Sequence, residues 1–300
     1  MMSVIVERQR LAKPFLKWAG GKGQLWPEIE KRLPKGIETG EIDTYVEPFV
    51  GGGAVFFNIA QKYEDIKHFY LFDINQDLVN CYNAIKNDIE SVIANLNKLE
   101  NEFLSLNKSA RKKFYYDDIR PEFNKDREPA KLIFLNKTCF NGLYRVNRKD
   151  EFNVPLGDYK NPTICDAENL RVVSQVLQKA EIICADFEKS EEYIDNKTFV
   201  YFDPPYRPLS PTASFTAYSK EDFGLEDQVR LALFSKRVKK TGAKLLLSNS
   251  DPKNEDPEDQ FFEENYKRYG FDIVQVKANR AINCKASGRG QINELLIKSY

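Results

Sequence analysis

Asp203, Pro204, Pro205 and Tyr206 together carry the groups needed to hold a flat amine. They follow Thr198-Phe-Val-Tyr-Phe202, a β-branched and aromatic run bounded by polar residues. Such a run reads as a buried strand. The prolines cannot continue a hydrogen-bonded ladder, so the chain stops there and projects Asp203 and Tyr206 from the strand's carboxyl end. Ligands bind at that end in open α/β sheets. An exocyclic ring amine is a poor nucleophile because its lone pair is conjugated into the ring. If the amine donates one hydrogen to Asp203 and another to the Pro204 carbonyl, the lone pair turns toward an electrophile such as a sulfonium methyl. Tyr206 would stack on the ring. That work is orientation and electrostatics and needs no strong base. A base inside a duplex must be flipped out to reach such a turn.

Other chemistries find less support. His68 is the single histidine and precedes Phe69-Tyr70-Leu71-Phe72, which suits a strand edge rather than acid–base work. The five cysteines are far apart with no CxxC pair, which suggests neither a zinc site nor a disulfide framework and fits a reducing cytoplasm. Several carboxylates would suit a Mg²⁺ nuclease, but prolines add no side-chain ligands and tyrosine is a rare one. Hydride transfer would call for GxGxxG, which is absent. Lys17-Trp18-Ala-Gly20-Gly21-Lys22 resembles a phosphate loop only in part. A glycine is needed where Leu16 stands, and Ser or Thr where Gly23 stands. On this segment alone Trp18 reads as core and Lys22 as a solvated charge.

The elements that must position Asp203 follow a nucleotide-binding order. Thr44-Tyr-Val-Glu47-Pro-Phe49 reads as a strand, Val50-Gly51-Gly52-Gly53 as a turn, and Ala54 opens a helix. Strand, Gly-rich turn and helix form the first unit of such a sheet, with glycines admitting close backbone approach to a cofactor. His68 to Ile74 reads as the next strand. It ends at Asp73, about 20 residues beyond the turn, the spacing at which an acid reaches a ribose diol. Asn75 is placed to cap the following helix. Further strands are expected at Ala180 to Phe187 (carrying Asp186), Thr198 to Phe202 and Lys244 to Asn249. Phe271 to Lys277 and Asn293 to Tyr300 read as a terminal antiparallel pair. A short helix is expected from Gln24 to Leu33, and Arg280 to Gly290 reads as a mobile basic loop.

Between Asp77 and Cys165 the sheet pattern stops. Ile89, Val92, Ile93, Leu96, Leu99 and Phe103 recur at helical spacing, and Lys131 to Lys137 reads as another helix. Thr138 to Lys160 then suggests a hairpin-like element in which Arg145 and Asn147 share a face. Arginine suits guanine edges and asparagine adenine edges in the major groove.

The chain has 300 residues, with 45 basic and 45 acidic. The balance is uneven along it. Lys131 to Lys149 and Ile273 to Asn293 contain no acid, whereas Asp251 to Glu264 carries seven acids and one lysine. A basic face opposed by an acidic one fits a polyanion partner. No apolar run reaches membrane-spanning length.

Four motifs in this order, Lys17-Trp-Ala-Gly-Gly-Lys22, Phe49-Val-Gly-Gly-Gly53, Phe140-Asn-Gly-Leu-Tyr-Arg-Val-Asn147 with Phe152-Asn-Val-Pro155, and Asp203-Pro-Pro-Tyr206, resemble the Dam-type (D12 class) DNA adenine-N6 methyltransferases over nearly the whole chain. The resemblance implies a Rossmann-like class I methyltransferase sheet, mostly parallel with a terminal antiparallel pair. It implies an inserted, mainly helical DNA-recognition domain carrying a β-hairpin. Residues 1–75 and 166–300 would form the cofactor-binding catalytic domain and residues 76–165 the insert. Asp203, Pro204, Pro205 and Tyr206 would be catalytic. S-adenosyl-L-methionine would be held by Trp18, Gly20, Lys22, Glu47, Phe49, Gly51, Gly53, Asp73 and Asp203, with Asp186 and Phe187 near its adenine. Double-stranded DNA would be contacted by Lys17, Leu143, Arg145, Asn147, Pro155 and Tyr159. Such enzymes typically modify adenine in GATC, need no metal, and act in the cytoplasm either alone or beside a cognate restriction endonuclease. One position departs: the family often has arginine before the tyrosine of the recognition element, and Asp158 stands there, where an acid repels phosphate. Two competing readings are a methyltransferase for a protein or small-molecule amide and a DNA-binding protein without catalysis. Arg145 in the recognition element opposes the first, and the intact Asp203 to Tyr206 turn opposes the second.

Overall fold

The computed structural model describes residues 10–18, 20–206, 223–279 and 291–300. Seven strands form one sheet in the order β3-β2-β1-β4-β5-β7-β6. They are β1 (Thr44–Glu47), β2 (His68–Asp73), β3 (Ala180–Cys184), β4 (Thr198–Phe202), β5 (Lys244–Ser250), β6 (Asp272–Asn279) and β7 (Gln291–Lys298). The first five are mutually parallel, and β7 runs antiparallel to both β5 and β6. This is the Rossmann-like arrangement expected, including the terminal antiparallel pair. The strand order reverses between β1 and β4, which opens a crevice at their carboxyl ends.

All five residues of β4 are buried because the sheet is covered on both faces. Phe199 and Tyr201 point into one apolar cluster, Val200 and Phe202 into another. That alternation follows from the two-residue period of a strand. On the first face the cluster runs without a break from the sheet into the helices of the segment between β2 and β3. It joins Phe56 and Leu71 to Leu96, Phe123 and Phe134. On the second face the helix Leu225–Lys240 supplies Leu231, Phe234 and Val238.

Several expected elements differ in detail. The helix near the N-terminus is shorter than expected, Trp26–Glu30, with Pro27 in its first turn. Pro48 stops β1 at Glu47. The hairpin-like element is not a ladder. Only two isolated antiparallel bridges close it, Cys139 with Leu156 and Val146 with Phe152. Its arms are antiparallel, Asn153 N donating to the Arg145 carbonyl at 3.1 Å and Asn147 N to the Glu151 carbonyl at 2.9 Å, while Tyr144, Phe152 and Val154 pack into the core. The expected Arg280 to Gly290 loop lies outside the described residues. His68 is exposed at the start of β2, at the opposite end from the crevice.

Within Asp251 to Glu264 several acids make local caps. Asp251 accepts from the Lys253 amide at 3.0 Å and Asp259 from the Phe261 amide at 2.9 Å. Lys253 pairs with Glu263.

Candidate active site

At the end of β4, Asp203 is held from two sides. Lys22 Nζ lies 2.7 Å from Asp203 Oδ1, and the same ammonium stands 4.7 Å from the centroid of the Tyr206 ring. Lys22 is therefore not a solvated charge: only 5% of it is exposed. It bends back over its own turn, donating to the Gly20 carbonyl at 2.5 Å, and meets Asp203 across the crevice. Local sequence gave no sign of this, because the contact depends on strand order. On the other side, Ser248 Oγ of β5 donates to Asp203 Oδ1 at 3.0 Å. Burial pushes the Asp203 carboxyl above its usual range, against the charge of Lys22 and the hydrogen bonds from Lys22 and Ser248.

The rest of the turn is fixed by its neighbours. Pro204 is buried, while the exposed Pro205 accepts from Gln228 Nε2 at 2.8 Å. The Tyr206 hydroxyl donates to Glu294 Oε2 of β7 at 2.8 Å. Ser248, Gln228 and Glu294 were not singled out in the sequence.

The glycine turn sits beside this group. Gly51 N donates to Asp73 Oδ2 at 3.1 Å, and Asn75 N to Asp73 Oδ1 at 2.9 Å. Asn75 also caps the helix Gln76–Asn87 through Leu78 N, as expected. Desolvation raises the Asp73 carboxyl to about 6, although the backbone amides of Asn75, Gly51 and Ile74 oppose the shift. Gly51 and Gly53 have φ of +47° and +71°, and a Cβ would lie 2.9 Å from Trp18 Cδ1 at the first and 2.6 Å from the Tyr82 hydroxyl at the second. The turn accepts no side chain at either place, because Trp18 and Tyr82 pack directly on its backbone. Trp18 is only part-buried and lies 5.6 Å from the ring of Tyr144. Glu47 is 2% exposed and accepts from the Tyr45 hydroxyl at 2.7 Å. Burial carries its carboxyl well above the usual range, a shift opposed by Tyr45 and increased by Asp203.

The end of β3 lies farther along the same edge. Asp186 accepts from Glu188 N at 3.0 Å and pairs with Arg230 at 2.8 Å. Phe187 is 3% exposed and stacks on Phe49 at 5.4 Å. Phe187 is thus a core ring that supports the half-buried Phe49.

The remaining candidates lie in the segment 138–160 and on Lys17. Arg145 is exposed, with Nε donating to Asn153 Oδ1 at 2.7 Å. Asn147 Oδ1 accepts from the amides of Lys149 (2.9 Å) and Glu151 (3.0 Å), and its amide nitrogen donates to Glu151 Oε2. Asn147 therefore shapes the turn that carries Arg148 and Lys149. Leu143 is half-buried against the core. Pro155 is exposed, and its carbonyl accepts from Phe140 N at 2.8 Å. Lys17 Nζ stands 4.1 Å from the centroid of Tyr159. Asp158 pairs with Lys108 at 2.8 Å, so the acid that departs from the family pattern carries its own counter-charge.

Asn136, also missed, joins the two groups of residues. It is 1% exposed, accepts from Lys17 N at 2.8 Å, and donates to the carbonyls of Lys17 (2.8 Å) and Gly142 (2.9 Å). The segment leading to Trp18 and Lys22 is thereby tied to the loop before Arg145.

Comparison with known proteins bears directly on this arrangement. The family described as D12 class N6 adenine-specific DNA methyltransferase matches residues 18–282. The type II methyltransferase M.MjaIII of Methanocaldococcus jannaschii is 53% identical over 296 residues, covering 96% of this chain and 99% of its own. The type II methyltransferase M1.LlaDCHI of Lactococcus lactis subsp. cremoris is 37% identical, covering 100% and 99%. The DNA adenine methylase of Escherichia coli is 36% identical, covering 95% and 94%.

Proposed function

The chain belongs to the D12 class of N6 adenine-specific DNA methyltransferases, and from that premise we propose that it methylates a flipped-out adenine in double-stranded DNA, within GATC, at the Asp203 to Tyr206 turn. The observation that carries this reading is the meeting of Lys22, Asp203 and Tyr206 at the β1/β4 reversal, beside the Gly51 turn and Asp73. Enzymes of this family generally use S-adenosyl-L-methionine, which supplies an electrophilic methyl on a sulfonium.

The residues present fit that group. Gly51 is part-exposed beyond the end of β1, Asp73 offers a carboxylate, and Trp18 offers a part-exposed ring. Trp18, Gly20, Lys22, Glu47, Phe49, Gly51, Gly53 and Asp73 would hold it, with Asp186 and Phe187 at the far end. Asp203 and the Pro204 carbonyl would accept the two hydrogens of the adenine amine and direct its lone pair. Tyr206, anchored by Glu294, would stack on the ring and help offset the few kcal/mol of unstacking. Positioning and electrostatics suffice because the sulfonium is already activated, so no metal is required.

Residues 76–165 would form the recognition part and residues 1–75 with 166–300 the catalytic part, the two sharing one apolar cluster. Lys17, Leu143, Arg145, Asn147, Pro155 and Tyr159 would contact DNA. Asn147, given its turn contacts, would act by presenting the segment. The type II naming of two relatives favours a role beside a restriction endonuclease over a solitary one. No helix among the described residues is long and apolar enough to cross a membrane, and DNA modification belongs to the cytoplasm.

Two expected results follow for recognition and cofactor binding. Arg145→Ala should cost about 1–3 kcal/mol at one guanine and relax selectivity there. Methylation rates on single-base-pair variants of the site check this, and a uniform weakening would make Arg145 a phosphate contact instead. Asp73 must be ionised to accept two ribose hydroxyls. Since its carboxyl sits at about 6, affinity for S-adenosyl-L-methionine should hold at pH 8 and fall as the pH drops through 6. Calorimetric titration across that range checks it. Asp73→Asn should bind weakly at every pH, and an unchanged pH dependence in that variant would remove Asp73 from the account. The site itself is tested by methylating plasmid DNA with the purified protein and mapping the modified adenines. Modification at GATC supports the reading, and modification at another sequence overturns it.

A further inference from the structure

The hydroxyls behind Asp203 have a fixed direction. Lys22 Nζ, 2.7 Å from Oδ1, keeps that oxygen an acceptor. Ser248 Oγ lies 3.0 Å from the same oxygen and 3.4 Å from the Phe202 carbonyl, both of them acceptors, and donates to the nearer, charged one. A hydroxyl has one proton, so the contact between Ser248 Oγ and the Tyr201 hydroxyl, also 3.0 Å, must run from Tyr201 to Ser248. Both residues are fully buried, Tyr201 on β4 and Ser248 on β5. The register places Phe202 opposite Leu247, which brings the end of β5 beside Asp203. Both donors fall on Oδ1.

We propose that Tyr201 and Ser248 form a two-hydroxyl relay that fixes Asp203 through Oδ1 and presents its other oxygen, Oδ2, to the substrate amine. They are positioning residues for methyl transfer. This rests on the reading of Asp203 given above. The relay restrains carboxylate rotation, because one donor comes from the N-terminal turn and the other from β5, on opposite sides of Asp203. Hydrogen bonds aligned in series in a buried site also strengthen one another. The other charged or titratable groups around Asp203 are Lys22 from the N-terminal turn, Glu47 with Tyr45 on β1, and Tyr206 with its partner Glu294 on β7. None of these is altered by changing Tyr201 or Ser248.

Ser248→Ala, Tyr201→Phe and the double variant of the full chain test the relay. In single-turnover methyl transfer, Ser248→Ala should be slowed about tenfold, the loss of one hydrogen bond to a charged group. Its acid limb should move to higher pH, since a carboxylate with one donor fewer protonates more readily. Tyr201→Phe should change both in the same direction by less. The double variant should be no slower than Ser248→Ala, because Tyr201 acts through Ser248. Affinities for S-adenosyl-L-methionine and DNA should stay within about twofold in all three, as expected for residues that touch neither ligand.

An acid limb left at the wild-type pH, or fully additive losses, would overturn the relay. If Ser248→Ala fails to fold, Tyr201→Phe removes only one oxygen, and an unmoved limb in that variant overturns the relay equally. Carboxyl-carbon NMR of Asp203 gives a readout independent of turnover, with a higher titration midpoint expected in Ser248→Ala and an unchanged one contradicting the relay. A wild-type protein that transfers no methyl to DNA adenine would instead defeat the functional reading. A normal wild type with unmoved limbs defeats the relay alone.

Discussion

Asp203→Ala folds and loses methyl transfer by about three orders of magnitude at saturating cofactor and DNA. An acceptor that aligns the reacting amine contributes at the scale of a catalytic hydrogen-bonding group together with its orientation effect. Without the carboxylate, the adenine amine keeps only the Pro204 carbonyl as an acceptor and its lone pair is not directed. The fold survives because Asp203 belongs to neither apolar cluster, both of which close around the side chains of β4 before the turn. The variant strands Lys22, whose ammonium keeps, among the described residues, the Gly20 carbonyl and the face of Tyr206. A stability loss of about 1–3 kcal/mol is the expected consequence. Circular dichroism and denaturant unfolding separate that loss from the catalytic one. Asp203→Asn retains an oxygen acceptor without charge and should keep a measurable fraction of the rate. Full activity in Asp203→Ala would remove the turn from the mechanism.

Lys22→Met should produce the second largest effect, and a pH-dependent one. The ion pair at 2.7 Å supplies the main attraction holding a buried carboxyl ionised. With the ammonium gone, burial acts with less opposition and the Asp203 carboxyl rises further. A protonated Asp203 is a poorer acceptor, so activity requires the ionised form and is lost as the pH falls through its pKa. Lys22→Met should therefore be slower near pH 7, with its acid limb displaced to higher pH, and should recover in part toward pH 9. An equal loss at pH 6 and pH 9, measured at saturating cofactor, would mean that Lys22 acts some other way.

The sequence disclosed much of this site because its chemistry is local. Two prolines after an apolar run mark where β4 ends, whatever the rest of the chain does. Glycines after β1 and an acid at the end of β2 follow the spacing expected of a nucleotide-binding sheet. Asn75 announces a helix start through its own side chain. Residues whose roles arise from neighbours distant in sequence were not legible. Lys22 beside two glycines looks like any solvated lysine until β1 and β4 lie side by side. Ser248 and Glu294 are ordinary strand residues, and their contacts with Asp203 and Tyr206 span 45 and 88 positions. The segment 138–160 was legible only in part. Alternation of Tyr144, Arg145, Val146 and Asn147 has the period of a strand, and the arm does pair antiparallel with Phe152, but through isolated bridges rather than a continuous ladder. Asp158 looked like a repulsive charge, and Lys108, 50 residues earlier, pairs with it at the surface.

The most direct test of the central claim is the identity of the methylated atom. Duplex DNA is incubated with the purified protein and S-adenosyl-L-methionine labelled in its methyl group, then digested to nucleosides and separated. All label should elute as N6-methyldeoxyadenosine, and the Asp203→Ala protein should give essentially none. Label in a methylated cytosine, or equal label from wild type and Asp203→Ala, would contradict the account.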